Sequence, residues 1–173
     1  MDVARELLVE KGYANVSMRQ IANKMKCSHG AIYYHFENKA ALFYALVEEH
    51  FLLLERKMNE VMEEQLDRKE KLRKLLLAFI QFGLNHQSHY EIMFLIKDKE
   101  VLHFLNQRPS QTYEKFAKHV ATLSEKQLSV REIWSIFLSL HGFVTHYLRH
   151  VVSFSDVEEM AQFHVETLLK QGD

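Results

Sequence analysis

The chain has 173 residues, 47% of them hydrophobic, and a formal net charge of −1 at neutral pH. That length and apolar share allow one or two units with a real core and exclude a disordered chain, while five glycines and one proline are too few for an all-β fold rich in tight turns. The near-zero charge excludes a globally basic nucleic-acid sponge but leaves room for a local cationic site, because attraction to phosphate depends on charge near the contact. Cys27 is the only cysteine, which removes any intrachain disulfide or cysteine zinc cluster and favours a reducing cytoplasm. No run approaches the roughly 18 apolar residues of a membrane helix, and no cationic, apolar leader precedes the fold, so neither a membrane nor secretion is expected.

Taken in order, the chain predicts about nine helices. Asp2 to Lys11 is amphipathic, with Val3, Ala4, Leu7 and Leu8 on one side, and Gly12 ends it. Ser17 and Gln20 form a capping-box pattern ahead of Ile21, Ala22 and Met25. After a break at Lys26-Cys27, Ser28 caps a second short helix, His29 to Phe36, that buries Ile32 and Phe36 at i, i+4. Asn38 caps a long helix carrying Leu42, Leu46, Phe51, Leu54, Met58 and Met62. Asp67 and Glu70 open a helix through Leu72, Leu75, Leu76, Phe79 and Phe82, ending near Asn85-His86. Tyr90 to Leu95 starts another, Val101 to Leu105 suggests a short helical turn, and Pro109 breaks the pattern. Tyr113, Phe116, Ala117, Val120 and Leu123 restore helical spacing. Two further capping boxes, Ser129 with Glu132 and Ser155 with Glu158, open Val130 to about His150 and the last helix to Lys170.

The face left outward on the helix after Ser28 is unusual. His29, Gly30, Ala31, Tyr33, Tyr34 and His35 combine exposed rings with small residues at the helix start, which suits a helix pressed end-on against a partner. In a helix-turn-helix that partner is the DNA major groove. From about Leu7 to Leu46 the residues carry a resemblance: Lys11-Gly12-Tyr13, then Ser17-Met18-Arg19-Gln20-Ile21-Ala22, then Ser28-His29-Gly30-Ala31-Ile32-Tyr33-Tyr34-His35-Phe36, then Asn38-Lys39 and Leu42. This pattern, roughly a quarter of the chain, resembles the DNA-binding region of the tetracycline-repressor (TetR) family of bacterial transcriptional regulators. One departure is Lys26, where the family has glycine because the turn favours φ > 0. A lysine there either carries left-handed strain or draws the turn differently.

The resemblance implies an all-α fold, with a three-helix helix-turn-helix head at residues 1–46 and a helical ligand-binding and dimerisation bundle at residues 47–173. Because Met1 falls inside the first helix of such a head, it also implies residues preceding Met1. Position by position, it assigns His29 and Tyr34 to base edges or nearby sugars, and Gly30 and Ala31 to close approach. Tyr33 and His35 fall to phosphates, and Arg19 to a base or a phosphate. Ser17 and Lys39 become phosphate clamps at helix N-termini, with Ser28 capping the reading helix. The implied partners are a double-stranded DNA operator and a small-molecule effector.

Val130 to His150 is apolar nearly all round, a pattern that belongs to a helix buried on two faces, and the last helix is similar. Both are expected to pair with a second copy in a four-helix homodimer interface. The ring-bearing stripes of Phe79, Phe82, Phe94, Tyr113, Phe116, Trp134 and Phe137, with Met93 and His141, read individually as core and together as the walls of an effector pocket. His86 with His89, and His146 with His150, have spacings a metal could use, but no cysteine or companion acid accompanies them, so no metal or cofactor is expected. The rival classes are a helical metal-binding enzyme and a protein-binding adaptor. No glycine-rich phosphate loop, nucleophile elbow or catalytic acid pair supports an enzyme.

Overall fold

The computed structural model describes residues 2–95, 108–148, 150 and 153–172, and among them helices and turns account for all regular structure. The helices are α1 (Asp2–Lys11), α2 (Met18–Lys24), α3 (His29–His35), α4 (Lys39–Glu63), α5 (Arg68–Asn85), α6 (Gln87–Phe94), α7 (Arg108–Leu123), α8 (Val130–Tyr147) and α9 (Glu158–Gly172), with 3-10 turns at Tyr13–Asn15 and Phe154–Asp156. The expected turn at Val101 to Leu105 lies outside the described residues. The chain divides into two compact units, one of Met1–Leu52 with Ser88–Ser110, the other of Leu53–Gln87 with Gln111–Asp173.

In the first unit α1, α2 and α3 enclose Ala4, Leu7, Leu8, Ile21, Ala22 and Ile32, and the first half of α4 adds Leu42, Phe43, Leu46 and Val47. Ser17 caps α2 as its residues require: its hydroxyl accepts from the Gln20 N–H at 3.2 Å while the Gln20 side chain accepts from the Ser17 N–H at 2.8 Å. The far end of α2 closes by a paired wrap, with the Cys27 N–H donating to the Ala22 carbonyl and the Lys26 N–H to Asn23, both at 3.1 Å. That wrap demands a left-handed residue between them, and Lys26 takes it at φ +56°. The turn therefore keeps the glycine-type path and the lysine carries the strain. Asn38 caps α4 by accepting from the Ala41 N–H at 2.8 Å.

In the second unit α5 packs against α8 and α9, burying Leu72, Leu75, Leu76, Phe79 and Ile80 against Ile133, Leu140, Val144, Ala161 and Val165. The second half of α4 carries Glu55, only 3% exposed, which accepts from the Thr112 hydroxyl at 2.6 Å and from the Lys115 ammonium of α7. A buried carboxylate is tolerable only when so paired. One turn on, His119 meets the Asn59 side chain at 3.2 Å. Burial, aided by Lys118 and Lys115, holds the His119 imidazole below its usual range.

Pro109 lies in the first turn of α7, where its missing N–H has no helical partner to lose, so the break in the pattern is the start of a helix. Two sequence expectations need correction. The Ser155 and Glu158 box does not form. Ser153 pairs instead with Asp156, whose carboxylate accepts from the Ser153 N–H at 2.7 Å and caps the 3-10 turn before α9. Finally, α8 stops at Tyr147, with Leu148 as its cap, rather than at His150.

A left-handed non-glycine costs about 1–2 kcal/mol and glycine returns some of that as unfolded-state freedom, so Lys26→Gly should raise the urea unfolding free energy by roughly 0.5–1 kcal/mol. His119 gives a pH test. Its folded value lies below the unfolded one, so the stability it supplies is present above pH ~6.5 and is lost as pH falls through the folded value. His119→Gln should therefore lessen the fall in melting temperature between about pH 7.5 and 5.5.

Candidate nucleic-acid interface

Seven residues make α3 too short to persist alone. It is fixed at its start by Ser28, whose hydroxyl accepts from the Ala31 N–H at 3.1 Å, and at its centre by Ile32, which plugs into the core. At its end the Phe36 N–H donates to the Ile32 carbonyl at 2.9 Å. With Ile32 turned inward, the opposite side must face solvent. His29, Gly30, Ala31, Tyr33, Tyr34 and His35 are all exposed, and Tyr34 is 87% so. A tyrosine ring left that bare inside a capped helix contributes almost nothing to folding, so its presence is not explained by the core.

The exposed rings form their own edge-to-face pairs, His29 on Tyr33 at 4.9 Å and Tyr34 on His35 at 5.2 Å between centroids. A β-carbon added at Gly30 would meet nothing within 4 Å, so nothing within the chain requires glycine there. Arg19 is exposed one position into α2, and Lys24 and Lys26 are exposed at its other end. Both lie in the chain just ahead of α3 and add local positive charge there.

Ser17 and Lys39 sit where expected but are engaged. The Ser17 hydroxyl belongs to the α2 cap. The Lys39 ammonium donates to the Tyr13 carbonyl at 2.7 Å and stands 4.0 Å from the Tyr13 ring centroid, and that ring meets Phe43 edge-on at 5.3 Å. Lys39 is thus a brace between the start of α4 and the Tyr13 turn before it is anything else, with two ammonium protons still available.

The residues expected around an effector divide between the units. Met93 and Phe94 belong to the first, where Phe94 packs on Phe51 and Tyr90 at 5.6 and 4.7 Å. Phe79, Phe82, Tyr113, Phe116, Trp134, Phe137 and His141 belong to the second. There Phe137 is the hub, within 5.3–5.7 Å of Tyr113, Trp134, Phe79 and Phe116, and stacked against His141 at 6.2 Å. Two concavities in the second unit lie elsewhere. One, of about 360 Å³, opens between the ends of α5, α7 and α9. The other, about 420 Å³, is a trough on α8 and α9 lined by Phe143, His146, Tyr147, Met160, Phe163, His164 and Thr167. Among the described residues no group of three or more histidine, cysteine or acidic side chains could hold a metal ion, and no helix is long and apolar enough to cross a membrane.

The family profile for bacterial regulatory proteins of the tetR family matches residues 1–46. The chain is 26% identical, over 96% of its own length and 61% of the relative's, to the HTH-type transcriptional regulator YerO of Bacillus subtilis. It is 28% identical, over 53% of its length and 42% of the relative's, to the HTH-type transcriptional activator FasR of Mycolicibacterium smegmatis. It thus spans less than two thirds of each of these relatives. Among solved structures, the fatty acid degradation regulator FadR from Bacillus halodurans aligns over 99% of this chain and 94% of that one, with a TM-score of 0.77 at 20% identity. A FadR from Bacillus subtilis, crystallised with stearoyl-CoA, gives 0.75 at 19%, over 99% and 94%. At such identities the structural likeness speaks to the fold.

Because Gly30 lies in a helix with open space around it, Gly30→Ala should raise the stability of the isolated protein by roughly 0.5 kcal/mol, read as a higher urea midpoint at unchanged m-value.

Proposed function

We propose that the chain, whose residues 1–46 match the family profile for bacterial regulatory proteins of the tetR family, is a ligand-responsive transcriptional repressor that binds a palindromic operator as a homodimer in the cytoplasm. Residues 1–46 serve as its DNA-binding domain and residues 47–173 as its ligand-binding and dimerisation domain. The observation that carries the reading is the outer face of α3: a rigidly capped helix presenting Tyr34 almost fully bare, with Tyr33, His29 and His35 around a glycine and an alanine. His29 and Tyr34 contact bases or sugars, Tyr33 and His35 reach phosphates, and Gly30 and Ala31 let the backbone approach the groove. Arg19 adds a cation from α2. Ser17 and Lys39 lend the positive ends of α2 and α4, supplemented by the spare Lys39 protons.

Two such helices need a fixed separation, about one DNA turn, and α8 and α9 supply the means. Phe163 is 70% exposed, and Met160, Trp134 and Leu138 are exposed with it. Apolar side chains left open on two adjacent helices favour an isologous interface with a second copy. An effector contacting the second unit around Phe137 and Trp134 would lower operator affinity if it binds the DNA-free arrangement more tightly. The stearoyl-CoA complex of the Bacillus subtilis FadR is one precedent for a ligand in such a fold.

Selection from a random duplex pool should yield a palindrome. Against it, His29→Ala with Tyr34→Ala should weaken binding more than tenfold while sedimentation still shows a dimer, and Gly30→Ala should weaken binding despite its gain in stability. If about six phosphates are neutralised per dimer, log K should fall with log salt at a slope near −5. Full binding by the double variant, or a salt-insensitive K, would refute the proposal.

A further inference from the structure

On the premise that α3 enters DNA as proposed above, we propose that Lys26, in the turn between α2 and α3, is a further phosphate contact of the head. Its backbone is fully committed. The Lys26 N–H donates to the Asn23 carbonyl and the Cys27 N–H to the Ala22 carbonyl, both at 3.1 Å, and Lys26 holds φ +56° so that both bonds form. Glycine meets that demand without strain and asparagine with little. Nothing inside the chain repays the lysine for it. The ammonium is exposed, and among the described residues no hydrogen bond or ion pair engages it. The negative end of α2 does not require it either, since Lys24 already lies in the last turn of that helix. A residue that weakens the fold without a structural return points to a role at the surface.

Position decides which role. Lys26 stands two residues before Ser28, the cap of α3, so its Cα lies within about 7.6 Å of that cap. The major groove that would receive the start of α3 is about 12 Å wide, with a phosphate strand along each rim. A flexible four-carbon stem rooted so near the groove brings its ammonium to the rim. Lysine binds phosphate as a point charge, so it needs no bracing from neighbours to do so. The surroundings favour an anion as well. Arg19 and Lys24 are exposed on α2, and between Ser17 and Lys39 the only acid is Glu37.

The experiment measures affinity of the whole chain for the palindrome it selects, over about a tenfold range of salt. Lys26→Gly and Lys26→Asn keep the left-handed turn and remove the charge. Each should weaken binding at least tenfold at about 0.1 M salt and flatten the slope of log K against log salt by about 1.8, two phosphates per dimer at roughly 0.9 each. Lys26→Arg restores the cation and should keep the wild-type slope. So should Lys118→Gln, which removes an exposed cation from α7 instead. Because Lys26→Gly should resist urea better than the wild type, its loss of binding cannot be a loss of fold. The proposal is overturned if the glycine and asparagine variants keep the wild-type slope, or if Lys26→Arg binds as weakly as they do. It also fails if their affinity drops by the same factor at every salt, which would assign the effect to the shape of the turn, or if Lys118→Gln flattens the slope equally. A wild type that selects no duplex would refute the DNA reading and this contact with it, whereas steep wild-type binding with an unaltered Lys26→Gly slope refutes the contact alone.

Discussion

Everything at the head depends on how one short helix is held. Seven residues cannot persist as a helix in water, so α3 exists only because Ser28 satisfies its first turn and Ile32 anchors its middle. The direction in which it leaves α2 is set one step earlier, by the wrap in which Lys26 adopts φ +56° so that Cys27 can reach back to Ala22. A lysine at that position is tolerated because the alternative, leaving the last carbonyls of α2 unsatisfied against a packed neighbour, would cost more. The strain is local, and what it fixes is the aim of the exposed face.

That exposed face carries little of the folding energy. Rings at Tyr33 and Tyr34 remain in water, and Gly30 gives up helix propensity with no packing reason within the chain. Residues that add nothing to stability, grouped on one side of a well-fixed element, indicate a surface shaped for a partner. The tetR-family match over residues 1–46 covers the same stretch.

The second unit is built differently. Its interior is settled by α5 against α8 and α9, and by a buried carboxylate, Glu55, tied to Thr112 and Lys115 on α7. Such a pair adds little net stability, but it fixes the register of α7 on α4, because Glu55 left without donors would be costly to bury. The same unit leaves aliphatic and aromatic surface uncovered on α8 and α9, the region where its bound partners are proposed.

The sequence alone was enough for the helices, their caps at Ser17, Ser28, Asn38, Asp67 and Ser129, and the inward position of Ile32. Those follow from local hydrogen-bond needs and from a 3.6-residue period that any single helix displays. Tertiary structure decided what depends on neighbours distant in the chain. It set Lys39 on Tyr13, capped the last turn before α9 through Ser153 rather than Ser155, and gathered Phe137 with Tyr113 and Phe79. It also opened a slot between helix ends that share no motif. Periodicity reports which side of a helix is apolar; only packing determines which apolar sides meet and where they fail to fill space.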